Sequence, residues 1–130
     1  MDSGGKKLTL FGSQGTATQL LFRKFSTFKD IKAYCVEKKI DICGVEILED
    51  GGSIRVDKHP FKRDTAFMLG NEGQGLNKTQ LAACDYCVYV AQHTIKTASL
   101  NVAVAGSIVL HHFALWAGFE EAPILGQKFK

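Results

Sequence analysis

Short apolar runs alternate with segments of helical spacing along most of this chain, and that alternation restricts the fold more than any other feature. Ile40-Asp-Ile-Cys-Gly-Val-Glu-Ile47 is rich in β-branched residues and reads as a strand. Thr65-Ala-Phe-Met-Leu69 and Tyr86-Cys-Val-Tyr-Val90 are further strand-like runs, and Lys7-Leu-Thr-Leu-Phe11 is a shorter one. Between them, Thr27-Phe-Lys-Asp30 resembles a capping box, and Phe28, Ile31, Tyr34 and Cys35 follow at helical spacing. That helix is expected to end near Lys39, where Lys38 and Lys39 suit the negative end of the helix. Asn77-Lys-Thr-Gln80 opens another helix. From Ser99 to about Trp116 runs a long helix, apolar almost all round and therefore expected to be buried on most faces. Gly12–Thr18, Glu49–Pro60 and Gln92–Ala98 read as loops. The order predicts an α/β fold with a mostly parallel sheet and flanking helices.

A chain of 130 residues fits one domain, and neither an internal repeat nor a linker divides it, so residues 1–130 are read as a single domain with an irregular stretch at 1–24. With 45% hydrophobic and 22% charged residues it can build a core and is not a disordered chain. No apolar stretch is long enough to cross a bilayer, so no membrane partner is expected. The first residues, Met-Asp-Ser-Gly-Gly-Lys-Lys, lack the apolar segment of a secretory signal, which predicts an intracellular, cytoplasmic location. In a reducing compartment Cys35, Cys43, Cys84 and Cys87 are expected to stay as thiols. Cys84-Asp-Tyr-Cys87 is a CxxC, but Cys35 and Cys43 do not supply a second pair at zinc spacing, and buried structural thiols are the simpler reading. No metal is expected. The first 63 residues carry 12 of the 16 Lys and Arg but 8 of the 13 Asp and Glu. That mild basic excess suits an anionic partner such as RNA, with Arg23, Lys24, Lys58, Lys62 and Arg63 as candidate phosphate contacts.

Two segments stand out as able to carry chemistry. Leu69-Gly-Asn-Glu-Gly-Gln-Gly-Leu76 places three glycines directly after a strand, where ligands bind in open α/β sheets. Its spacing is neither GxGxxG nor a P-loop, so by spacing alone it is either a ligand loop or a plain glycine turn. Thr97-Ala-Ser-Leu-Asn-Val-Ala-Val-Ala-Gly-Ser107 opens the long helix, with Ser99 read as the cap and Asn101 assisting it. Small residues there let another backbone approach. His111 and His112 are adjacent and cannot face the same way, so one is read toward a partner surface and one toward solvent. His59 and His93 sit in loops without ligand spacing. Trp116, Phe113, Leu115 and Phe119 form an apolar patch, either core or subunit interface.

Taken together, Phe-Met-Leu-Gly-Asn-Glu-Gly-Gln-Gly-Leu, a short helix, Val-Tyr-Val and then Ser-Leu-Asn-Val-Ala-Val-Ala resemble the SpoU family of RNA ribose 2′-O-methyltransferases, a branch of the SPOUT superfamily. The likeness is strong from about Thr65 to Phe119 and looser from Phe25 to Val56. It implies a deep trefoil knot in the C-terminal region, with 65–119 as the knot and cofactor segment. It implies S-adenosylmethionine as cofactor and tRNA or rRNA as substrate. It also implies a homodimer formed through the C-terminal helix. Position by position, Leu69, Gly70 and Gly73 match the first cofactor loop, Val90 and Ala91 the second, and Ser99, Leu100 and Asn101 the third. Asn71 shapes the site, and Ser99, Asn101 and Glu72 are the implied catalytic set, with Ser99 and Asn101 orienting groups by hydrogen bonds.

One motif of the family has no match. Members carry Asn-x-Gly-x-x-x-Arg on a helix after the first strand, and the arginines here, Arg23, Arg55 and Arg63, lie in other contexts. The expectation is that the chain starts near the family's second strand, as a truncated product or by natural loss. The alternative function is then a catalytically impaired module that binds cofactor or RNA.

Overall fold

The computed structural model describes residues 21–48, 50–71, 73–93 and 101–124. In chain order these contain α1 (Phe28–Lys38), β1 (Asp41–Val45), β2 (Ile54–Arg55), a 3-10 turn (Val56–Lys58), β3 (Thr65–Leu69), α2 (Lys78–Ala83), β4 (Tyr86–Tyr89) and α3 (Val102–Ala117). The four strands form one sheet in the order β2-β4-β1-β3, and every pair is parallel. The expected α/β architecture is present. The run at Lys7–Phe11 and the loop at Gly12–Thr18 lie outside the described residues.

Local signals place the first two helices as read. The Thr27 hydroxyl accepts from the Asp30 amide at 3.1 Å, and Lys39 ends α1 in the left-handed region at φ 59°. Asn77 and Gln80 form a reciprocal capping box at 2.8 and 2.9 Å. Lys32 donates to Asp85 at 2.8 Å, and the Ile42 amide donates to the other Asp85 oxygen at 2.7 Å. Asp85 thus ties α1 and the start of β1 to the turn before β4.

Strand alternation assigns the two faces of the sheet. Cys43, Val56, Phe61, Val88 and Val109 are buried together, with Val45, Phe67, Tyr86, Val90 and Phe113 packed on them. This is the α3 side. Phe61 stands at its centre, with ring centroids 5.2 Å from Phe113, 5.8 Å from Trp116 and 5.9 Å from Phe67. On the other side a β-carbon at Gly44 would come within 2.9 Å of the side chains of Leu76, Cys84 and Cys87, so only glycine fits there. Cys43 and Cys87 are buried, as the structural reading expected, Cys35 is buried as well, and Cys84 is half-buried.

Three expectations need correction. Glu49–Pro60 is not all loop: it holds β2 and the 3-10 turn, too short to leave a periodic signal. The long helix starts at Val102 rather than Ser99, and Asn101 is its cap, with Oδ1 accepting from the Ala103 amide at 2.8 Å and the Val104 amide at 3.4 Å. Nor is α3 buried on most faces. Only Gly106 and Val109 are buried, while Val104, Leu110, Leu115 and Trp116 are exposed. A single sheet offers one surface to a helix, and the rest of its apolar circumference has no cover among the described residues. Of the C-terminal aromatic patch, Phe113 belongs to the core, whereas Leu115 and Phe119 are exposed. His111 is exposed, and His112 is half-buried with Nδ1 2.9 Å from Nε2 of His59. No helix among the described residues is long and apolar enough to cross a membrane.

Candidate functional site

A crevice of about 550 Å³ opens where the carboxyl ends of β4, β1 and β3 meet the start of α3. This is where parallel α/β sheets place their ligands, and the volume suits a small molecule of cofactor size. The end of β1 contributes Val45, Glu46 and Ile47, and the end of β4 contributes Tyr89, Val90 and Gln92. The loop after β3 brings Leu69, Gly70, Asn71, Gly73, Gln74 and Gly75, and α3 brings Asn101, Val102 and Ala105. Apolar walls with a few amide and carboxylate groups are a ligand-site composition.

The glycine loop is folded tightly on itself. The Gly75 amide donates to the Asn71 carbonyl at 2.9 Å. A β-carbon on Gly70 would overlap the Gly75 backbone, and Gly75 itself sits at φ 68°, in the left-handed region. The glycines therefore close a loop that no larger residue could close. Across the crevice, Gly106 of α3 lets Leu69 approach: a β-carbon there would lie 3.1 Å from Leu69 Cδ1. Gly106 thus sets how closely α3 approaches the end of β3, and it is the Leu69 side chain, not a second backbone, that comes against it.

Glu46 is held by its backbone. Its amide donates to the Val88 carbonyl at 3.0 Å, and its carbonyl accepts from the Ser53 hydroxyl at 2.7 Å. Among the described residues that line the crevice it is the charged one. The thiols play no part. Burial pushes Cys43 and Cys84 up to about 12, with neighbouring cysteines adding to the shift, so they are protonated and unreactive near neutrality. Among the described residues no cluster of three His, Cys, Asp or Glu could hold a metal.

The structure gathers Leu69, Gly70, Asn71, Gly73, Val90 and Asn101 around one crevice. Ala91 is half-buried beside it but does not line it. Glu72, Ser99 and Leu100 lie outside the described residues. The basic candidates are elsewhere. Arg23 stacks over the Tyr34 ring at 4.7 Å, and Lys24 is exposed. Lys62 is exposed, and Arg63 Nε donates to Asp41 at 2.8 Å. Asp41 begins β1, so Lys62 and Arg63 sit at the opposite end of the sheet from the crevice, roughly 13 Å away along the strand. Sequence reasoning missed Val45, Glu46, Ile47, Tyr89 and Gln92. The strand-end rule that found Gly70 points to the ends of β1 and β4 as well, but only the strand order brings those ends to this crevice.

Comparison with known proteins agrees with this fold. The family model described as the SpoU rRNA Methylase family matches residues 5–111. No curated protein matches the chain in sequence. Among solved structures, the SpoU methyltransferase AviRb from Streptomyces viridochromogenes, in complex with AdoMet, superposes with a TM-score of 0.70 at 21% identity, over 84% of this chain and 42% of that one. The A. aeolicus TrmH/SpoU tRNA modifying enzyme gives 0.71 at 20% identity, over 98% of this chain and 65% of that one. A protein of the TrmH family from Porphyromonas gingivalis gives 0.56 at 20% identity, over 68% and 35%. At such identities the likeness is one of fold. The chain spans less than two-thirds of each of these three proteins.

Proposed function

Because the chain belongs to the SpoU rRNA methylase family, we propose that its crevice binds S-adenosylmethionine and that it methylates a ribose 2′-hydroxyl of tRNA or rRNA. The observation that carries this reading is the convergence of the Leu69–Gly75 loop, Val90 and Asn101 on one crevice at the carboxyl ends of the strands. The residues fit the cofactor: Gly70 keeps the loop closed where a β-carbon would overlap the Gly75 backbone, and the apolar walls and side-chain amides suit an adenosyl group and an amino-acid tail.

When bound, S-adenosylmethionine supplies an electrophilic methyl group on a sulfonium. The chain's own residues hold and orient. Leu69, Val90 and Val102 offer apolar contact, and Gly70 and Gly73 allow close backbone approach. Asn101 positions rather than removes a proton, because its Oδ1 already accepts two α3 amides and an amide is no base near neutrality. Ser99, Leu100 and Glu72 complete the site in this proposal. The same proposal includes the trefoil knot, formed as the chain from Val90 through α3 passes the glycine loop. It is supported by the packing of Gly106 against Leu69. It includes a homodimer through α3, supported by the exposed Leu110, Leu115 and Trp116. RNA docks on Arg23, Lys24, Lys62 and Arg63, at a distance from the methyl-transfer crevice.

Titration calorimetry with S-adenosylmethionine, paired with transfer of a tritiated methyl group to total tRNA or rRNA, tests the reading. Binding and transfer are expected together. Binding without transfer would favour the catalytically impaired module, and absence of binding would sink the proposal.

A further inference from the structure

Glu46 was singled out neither by its motif nor by its spacing, yet its carboxylate enters the crevice. We infer that Glu46 is a specificity-determining residue that makes the crevice select a cationic adenosyl ligand. The inference rests on the methyl-donor reading above. Glu46 lies at the carboxyl end of β1, between the strands whose ends form the other crevice walls. Its backbone is fixed by Val88 and Ser53, so its position is set by the sheet. Its carboxylate occupies the space beside Gly75 that a side chain at that position would claim. It has no hydrogen-bond or ion-pair partner among the described residues.

A carboxylate accepts hydrogen bonds only and repels anions. No Lys or Arg among the described residues lines the same crevice to neutralise it. A nucleoside polyphosphate would therefore be repelled by this carboxylate, whereas a sulfonium with its ammonium tail would be attracted to it. Transfer of the methyl to a hydroxyl oxygen leaves the electron pair of the broken S–C bond on sulfur, releases the hydroxyl proton to solvent and erases the sulfonium charge. The attraction of Glu46 thus distinguishes the methyl donor from its thioether product, S-adenosylhomocysteine, which is otherwise nearly the same shape. Because the interaction is between charges in a solvent-connected crevice, added salt weakens it.

Calorimetric titration of the 130-residue chain with S-adenosylmethionine, S-adenosylhomocysteine and ATP, in the wild type, Glu46→Gln and Glu46→Asp, tests this. Glu46→Gln is expected to weaken S-adenosylmethionine about tenfold, corresponding to the loss of one favourable charge pair. It is expected to weaken S-adenosylhomocysteine by less than about threefold. Glu46→Asp should recover most of the difference. If Glu46→Gln does not fold, the wild type alone decides: the preference for the methyl donor over the product must shrink as salt rises from low to high concentration. An equal loss for both ligands in Glu46→Gln, or a salt-independent preference, overturns the inference, as does tighter binding of ATP than of S-adenosylmethionine. A wild type that binds neither adenosyl ligand overturns the methyl-donor reading and takes this inference with it. A wild type that binds both, with their ratio unchanged in Glu46→Gln, overturns this inference alone.

Discussion

The carboxylate of Glu46 fills the place that a β-carbon on Gly75 would take. Gly75→Ala must therefore displace Glu46 while also holding an L-residue at φ 68°. Gly73 is a matched control, at φ 82° with nothing within 4 Å of its missing β-carbon. Both alanine variants should lose about 1 kcal/mol of stability from the left-handed backbone. Gly75→Ala should lose more binding of S-adenosylhomocysteine than Gly73→Ala, because it alone also displaces Glu46. Thermal unfolding and calorimetry of the pair check this; equal affinities would show that the Glu46–Gly75 contact does not shape the crevice.

Asn101 caps α3 through its oxygen, and its role as cap can be separated from any role toward a ligand. Asp caps a helix as well as Asn does. Asn101→Asp is expected to hold stability within about 0.5 kcal/mol, and Asn101→Ala to lose about 1 kcal/mol. Methyl transfer should fall in both, since both lack the side-chain NH₂ group. Transfer that survives in Asn101→Asp would assign Asn101 to capping alone.

The buried thiols set an alkaline limit. Burial raises Cys43 and Cys84 to about 12 from an unfolded value near 9.0, so the folded state holds their protons longer than the unfolded state. The stability they contribute is complete below pH 9 and is lost as pH rises towards 12. Burial moves Tyr86 the same way, to about 12. The melting temperature should fall steadily across that window, and Cys43→Ala should flatten the fall. At neutral pH, iodoacetamide should modify Cys43 and Cys84 slowly unless the protein is unfolded.

Asp85 sets the acid side. Burial pushes its carboxyl up, but the Ile42 amide and Lys32 together outweigh that and hold it below the usual carboxylate range. A lowered folded value gives stability that is present above the unfolded value, near pH 4, and lost as pH falls through the folded one. Asp85→Asn should lower the melting temperature at pH 7 and make little difference at pH 2. A deficit that persists in acid would mean that packing, and not charge, explains the loss.

Lys62 and Arg63 should part company in an RNA-binding assay. Lys62→Ala is expected to reduce the salt dependence of binding by about one ion without touching stability. Arg63→Ala should also lower the melting temperature, because it leaves the buried Asp41 without its partner. Unchanged RNA affinity in both would move the RNA surface away from this end of the sheet.

The parts of this protein legible in the sequence are those written in local chemistry. Thr27, Asn77 and Gln80 announce their helices by capping, and the apolar run Thr65–Leu69 with the glycines behind it announces a strand and a tight loop. The crevice was half legible, because Gly70 and Asn101 belong to motifs, while Glu46 and Tyr89 reach the site only through strand order. Which strands neighbour one another is a long-range fact that no local pattern encodes. The exposure of α3 was misread for a related reason: its composition resembles that of a helix surrounded by protein, and a sequence does not say how many surfaces will be present to surround it.

From Val102 to Ala117, α3 is one unbroken rod about 24 Å long. Its first turn is a wall of the crevice, and its last turns rest on Phe61 through Phe113 and Trp116. With that far end as fulcrum, a tilt of roughly 5° carries the near end about 2 Å. Whatever seats itself against the outer side of the rod is therefore coupled, by leverage alone, to the width of the opening at its base.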